Sequence, residues 1–254
     1  MTARLEIKDL CLAFGKLIVA SNIGLTLDAG ARTALIGPNG AGKTTLVDMI
    51  SGILKPQSGR ILLEGEVITN LPPAARARRG IVRTYQISRL FKDMTVADNI
   101  RVAILQRTRT GMRLWQGRAR AAAINREIDD ILDLLGLRAC SSALIRSISL
   151  GQQRLVEIAI ALAMRPRLLL LDEPAAGVPQ SEIGIILDAI AGLPAELAVL
   201  LIEHDMDIVF RFANRIIVLA SGTVLMDGTP AEVARDPRVE AIYFGRAEHG
   251  RAAG

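Results

Sequence analysis

Gly37-Pro38-Asn39-Gly40-Ala41-Gly42-Lys43-Thr44, set between the apolar triplet Ala34-Leu35-Ile36 and the residues Leu46, Val47, Met49 and Ile50, decides the fold. An apolar run that stops at a glycine and resumes with helical spacing predicts a strand, a tight loop and a helix. The loop has the form GxxxxGK[ST]. Glycines at positions 37, 40 and 42 let the backbone turn its N–H groups inward, at a helix N-terminus whose dipole favours anions. Pro38, Asn39 and Ala41 fill the other loop positions, and Thr45 continues the helix start. Lys43 is suited to the β- and γ-phosphates of a nucleotide, and the Thr44 hydroxyl to Mg²⁺.

A second stretch, Leu168-Leu169-Leu170-Leu171-Asp172-Glu173, reads as a buried strand ending in adjacent carboxylates. Strands alternate faces, so the two acids are expected to do different work. Asp172 is placed for the Mg²⁺ shell and Glu173 for polarising an attacking water as general base. Further short apolar runs alternate with helix-length segments, which predicts an α/β fold with a mainly parallel sheet.

The chain has 254 residues, half of them apolar and 22% charged, enough for one large domain and too apolar for a disordered tail. Uninterrupted apolar runs such as Ile158 to Met164 fall well short of the roughly 20 residues a spanning helix needs. The N-terminus MTARLEIKDL carries charges where a secretory signal has its apolar core, so a cytosolic location is expected. Cys11 and Cys140 lie too far apart in sequence to suggest a disulfide framework or a zinc site, and are read as packing residues. Net charge is +5, but residues 76 to 126 hold thirteen Arg or Lys against Asp93 and Asp98, so the excess is local. With 3% aromatics there are few stacking platforms, and nucleic acid is not an expected partner.

Together with Ser149-Leu150-Gly151-Gln152, Gln86 and His204, these stretches resemble the ATPase subunit of an ABC transporter over essentially the full chain. The resemblance implies an ABC ATPase domain over 1–245. A nucleotide-binding core with an N-terminal antiparallel β subdomain would occupy 1–86 and 166–245, an inserted helical subdomain 87–165, and a flexible tail 246–254. It implies ATP and Mg²⁺ as cofactors and ATP hydrolysis as the activity. Ser149, Gly151 and Gln152 match the signature that faces the γ-phosphate held by the other subunit of a head-to-tail dimer. Gln86 matches the glutamine joining Mg²⁺ and water to the helical subdomain, His204 the switch histidine, and Phe14 the aromatic that stacks on adenine. Two departures stand out: Pro179 occupies a loop position usually held by Asp, and Leu150 one usually held by Gly.

Arg83-Thr84-Tyr85-Gln86, Glu173-Pro174-Ala175-Ala176-Gly177, Glu203-His204-Asp205-Met206 and the ending Val239-Glu240-Ala241-Ile242-Tyr243-Phe244-Gly245 resemble the branched-chain amino-acid uptake group, in its larger-paralogue form. The implied partners are a second ATPase subunit, identical or paralogous, two membrane permease subunits, and indirectly a periplasmic solute-binding protein. The implied location is the inner face of the cell membrane. Residues 101 to 126 carry seven Arg and no acid, so an anionic membrane surface is a further candidate partner. Urea or amide uptake, lipopolysaccharide export, and a non-transport ABC ATPase acting on nucleic acid or ribosomes are the alternatives. A single phosphate loop and the absence of sustained heptads weigh against the last.

Overall fold

The computed structural model describes residues 3–84, 90–108 and 118–243. They divide into two compact units, one drawn from Met1–Pro73 and Ala198–Gly254, the other from Ala74–Leu197.

The first unit opens with β1 (Leu5–Phe14) and β2 (Leu17–Leu27), followed by β3 (Arg32–Ile36), α1 (Lys43–Ser51), β4 (Ser58–Leu63) and β5 (Glu66–Val67). Strands β2-β1-β4-β5 form an antiparallel sheet. Buried and exposed residues mix along β1 and β2, as in strands with one wet face. β3 behaves differently, because Thr33 to Ile36 are all buried, the mark of a central parallel strand.

The chain then builds the second unit with α2 (Pro73–Arg78), β6 (Ile81–Arg83), α3 (Val96–Thr108), α4 (Arg118–Leu134), α5 (Leu150–Ala163), β7 (Leu168–Asp172) and α6 (Gln180–Ala191). β6 and β7 pair in parallel. Helices α3, α4 and α5 pack on one another through apolar stripes such as Ile124, Ile128 and Ile131 of α4. Arg107 of α3 reaches both oxygens of Glu127 on α4 at 2.8 Å, and Arg165 approaches the same carboxylate at 3.1 and 3.2 Å. Part of the basic excess is therefore structural. Asn99, only 2% exposed, accepts from the Phe91 N–H at 2.9 Å and donates to the carbonyls of Phe91 and Thr95, so a buried amide holds Phe91 with its ring half in solvent.

The first unit resumes with β8 (Ala198–Ile202), α7 (Met206–Phe212), β9 (Arg215–Ala220), β10 (Thr223–Gly228), α8 (Pro230–Arg235) and α9 (Pro237–Tyr243). β3 lies between β8 and β9, parallel to both, with β10 antiparallel on the outside of β9. Val209 of α7 and Ala213, just past its end, cover Ala34, Ile36, Ile216 and Val218. Loops that follow parallel strands are where α/β folds place ligands, and the loop after β3 is the GxxxxGK[ST] stretch. Cys11 and Cys140 are both free and half-buried. Among the described residues no helix is long and apolar enough to cross a membrane. The expected tail, 246–254, lies outside the described residues.

Candidate nucleotide-binding site

In the first unit the predicted loop leaves the end of β3 and Lys43 opens α1. The helix is capped by Gly42 at φ 102°, a residue with no side chain to cap it. A helix N-terminus of this kind favours an anionic acceptor. The glycines are dictated by close backbone approach: a Cβ at Gly42 would stand 2.5 Å from the Val19 carbonyl oxygen, and one at Gly37 2.3 Å from that of Leu219. Lys43 folds over the loop, its Nζ donating to the carbonyls of Gly37 at 2.6 Å and Pro38 at 3.1 Å. Asn39, Gly40 and Thr44 are exposed, while Pro38 and Thr45 are half-buried and Ala41 is buried.

His204 belongs to the same edge of the same sheet. Leu35 of β3 pairs with Ile202 of β8, so the phosphate loop and Glu203-His204 leave neighbouring strands in the same direction. Glu203 is 2% exposed and accepts the His204 backbone N–H at 3.3 Å, while the imidazole is mostly exposed. Phe14, 53% exposed, ends β1 beside the exposed Leu17 and Ile18, giving an apolar tip able to cover a flat ring.

The other predicted residues lie in the second unit. Asp172 ends β7, buried, with Arg83 Nη2 at 2.6 Å from its Oδ2. The two side chains are 7% and 5% exposed, so this pair is shielded from water. Thr84 donates its N–H to the Leu170 carbonyl at 3.0 Å, which ties the segment leading to Gln86 onto β7. Gln86 itself lies outside the described residues. Glu173 has φ 47°, a left-handed backbone that costs a non-glycine residue about 1–3 kcal/mol and is concentrated at functional sites. Strand alternation was expected to separate the roles of the two acids; the strand in fact stops at Asp172, and a reversed backbone follows it.

Ser149 caps α5 in a capping box: its Oγ accepts the Gln152 N–H at 3.2 Å, and Gln152 Oε1 accepts the Ser149 N–H at 3.0 Å. The same Ser149 hydroxyl donates to Glu182 Oε2 at 3.0 Å, and the Gly151 N–H donates to that oxygen at 2.7 Å. Arg154, one turn further on, donates to the Ala176 carbonyl at 3.3 Å. Pro179 is the N-cap of α6 and offers it no side-chain cap.

Sequence reasoning quoted Arg83 and Glu203 within motifs but gave them no role, and did not mark Glu182. Arg83 ends β6 and Glu203 directly follows β8, places where a charge beside an apolar strand signals a special partner. Glu182 sits in the first turn of α6, where acids are common for dipole reasons alone, so no local signal marks it.

Among the described residues no group of three or more His, Cys, Asp or Glu could hold a metal ion. Asp172 in the second unit and Thr44 in the first each carry a hard oxygen of the kind Mg²⁺ prefers.

A GxxxxGK[ST] loop between a central parallel strand and a helix start capped by glycine defines a P-loop nucleotide-binding protein. Residues 20–176 match the family described as ABC transporter. The chain is 38% identical over 252 residues, 96% of its length and 98% of the other's, to the high-affinity branched-chain amino acid transport ATP-binding protein LivG of Escherichia coli K12. It is 35% identical over 246 residues, 96% and 98% of the two chains, to the lipopolysaccharide export system ATP-binding protein LptB of the same organism. Among solved structures, MJ1267, an ATP-binding cassette of an ABC transporter, superposes with TM-score 0.82 and 31% identity over 96% of this chain and all of that one. The chain belongs to the ABC transporter family, as its ATP-binding, ATP-hydrolysing component.

Proposed function

We propose that the chain powers an importer of branched-chain or related amino acids from the cytoplasmic face of the cell membrane. The observation that carries this reading is the full-length likeness to LivG. The segment 87–165 serves as the moving helical subdomain within a core of 1–86 and 166–245. The chain pairs with a second ATPase subunit, identical or paralogous, under two permease subunits fed by a periplasmic binding protein. Phe91, held half-exposed by Asn99, suits contact with a permease subunit. Arg118 and Arg120, both exposed, suit an anionic membrane surface.

Phe14 stacks on adenine, while the amides of the loop and Lys43 hold the phosphates. Mg²⁺, when bound, neutralises charge on the phosphate oxygens, and Thr44, Asp172 and Gln86 are the residues that would hold it. Ser149, Gly151 and Gln152 meet the γ-phosphate bound by the partner, Glu173 takes the proton of the attacking water, and His204 steadies the phosphate.

The test is the complete transporter reconstituted with its permease and binding protein. Glu173→Gln is expected to keep ATP binding and lose roughly 10²–10⁴-fold in hydrolysis, as expected for a positioned base. Near-normal turnover would overturn the base assignment. Leucine, isoleucine or valine retained by the co-encoded binding protein is the expected cargo result; co-purification with a lipopolysaccharide-export permease would replace the importer reading.

A further inference from the structure

The N-terminus of α5 already holds an acid. Glu182, in the first turn of α6, lies 33 residues along the chain from Ser149, and a single oxygen, Oε2, accepts both the Ser149 hydroxyl at 3.0 Å and the Gly151 N–H at 2.7 Å. The contact is close-fitting: a Cβ on Gly151 would stand 2.4 Å from that oxygen and 3.0 Å from the Glu182 Cβ. Gly151 is therefore the residue that lets the carboxylate reach the helix start. An ionised oxygen receiving a hydroxyl and a helix-terminal amide makes charge-assisted bonds, the strong kind. A phosphate oxygen makes the same bonds to the same donors. One oxygen position cannot be shared by two anions, and the carboxylate would also repel a phosphate brought beside it.

We infer that Glu182 is an internal stand-in for the γ-phosphate: it fills the anion site of α5 and must leave before the partner's nucleotide can engage Ser149 and Gly151. The inference rests on the reading of Ser149 and Gly151 as the residues that meet that phosphate. Glu182 then acts as a positioning residue that sets the ATP level for closure. The apparent affinity for the closing nucleotide is reduced by the fraction of molecules in which the site is free. Glu182 is carried by α6, whose preceding segment runs back through Ala176, held by Arg154 of α5, to Glu173. Displacement of Glu182 therefore loosens a tie between the signature helix and the stretch bearing the general base.

The test uses the complete transporter with Glu173→Gln in this chain, so that ATP is retained and not hydrolysed. The quantity read is the MgATP concentration giving half-maximal nucleotide occlusion after rapid desalting. Adding Glu182→Ala is expected to lower it roughly three- to tenfold, as for removal of a competing bound state. Glu182→Gln, which keeps size and one acceptor but no charge, should lower it by less. ADP has no γ-phosphate, so its equilibrium binding should stay unchanged in both variants. A merely structural contact would weaken occlusion when removed. Half-saturation that is unchanged or raised, or an equal shift for ADP, overturns the inference while leaving the function intact. If Glu182→Ala fails to fold, an unmoved half-saturation in Glu182→Gln is decisive against it. Failure of the Glu173→Gln parent to occlude ATP removes the nucleotide-sandwich reading itself, and this inference with it.

Discussion

The N-termini of α1 and α5 are both places where a helix dipole and terminal amides favour an anion, yet they are held in different ways. At α1 the constraint is backbone on backbone: Gly37 and Gly42 press against the carbonyls of Leu219 and Val19, the cap carries no side chain, and Lys43 rests on the loop's own carbonyls. At α5 the constraint is side chain on backbone, with Ser149 and Gln152 boxing the end and Glu182 accepting the Ser149 hydroxyl and the Gly151 N–H. The contrast belongs to the two helix ends and not to the units as wholes: in the second unit Arg83 fastens Asp172 and Glu127 collects Arg107 and Arg165, and in the first Arg215 grips both oxygens of Asp227. A site held by its backbone is ready for a ligand at any time. A site held by ionisable side chains changes state when one partner is exchanged, which suits a surface that must engage and release at every turnover.

The largest effect, against which the two helix ends are to be measured, comes from removing a charged partner in the second unit. Arg83→Leu leaves Asp172 buried without its observed cation and is expected to cost about 3–5 kcal/mol, read from chemical denaturation. A loss under about 1 kcal/mol would mean that the pair is not what holds Asp172. In the first unit, Lys43→Ala should leave the fold intact while weakening nucleotide binding about 10- to 100-fold, the worth of charge-assisted bonds to phosphate. Equilibrium titration with a fluorescent ATP analogue checks it, and an unchanged affinity would detach the lysine from the phosphates. Gly42→Ala probes the backbone constraint directly. Left-handed backbone costs alanine about 1–2 kcal/mol, and the contact with Val19 adds to it, so thermal unfolding should shift down by several degrees. The mildest change is Ser149→Ala, which removes the capping box for about 0.5–2 kcal/mol in the same unfolding measurement. A Ser149→Ala loss larger than that of Gly42→Ala would invert the proposed difference between the two ends.

The phosphate loop was legible because everything it needs lies within one short stretch. Its glycines answer to a local geometry, and its lysine and threonine follow at fixed spacing. Leu168 to Asp172 was legible for a similar reason, since a fully apolar run ending in an acid has few other readings. The separation of Asp172 from Glu173 was anticipated by a different route from the one the chain takes. Alternation along a strand would have set them on opposite faces, whereas the left-handed turn at Glu173 is a conformation that side-chain type does not announce. Ser149 was seen through its resemblance to a signature. Its capping box follows local rules, but the acid that fills it does not.

Residue spacing and type along the chain therefore settled the strand–loop–helix unit, the buried parallel strands and the family, because those depend on φ, ψ preferences and apolar periodicity within a few residues. Folding alone decided the partners of the charges. Arg83 and Asp172 are 89 residues apart, and Glu182 and Ser149 33 apart. No local rule selects one acid among the chain's 26 for a given cation or amide. That choice is made when helices and strands pack, because only then does burial remove water as the alternative partner and leave each charge only the neighbours within reach.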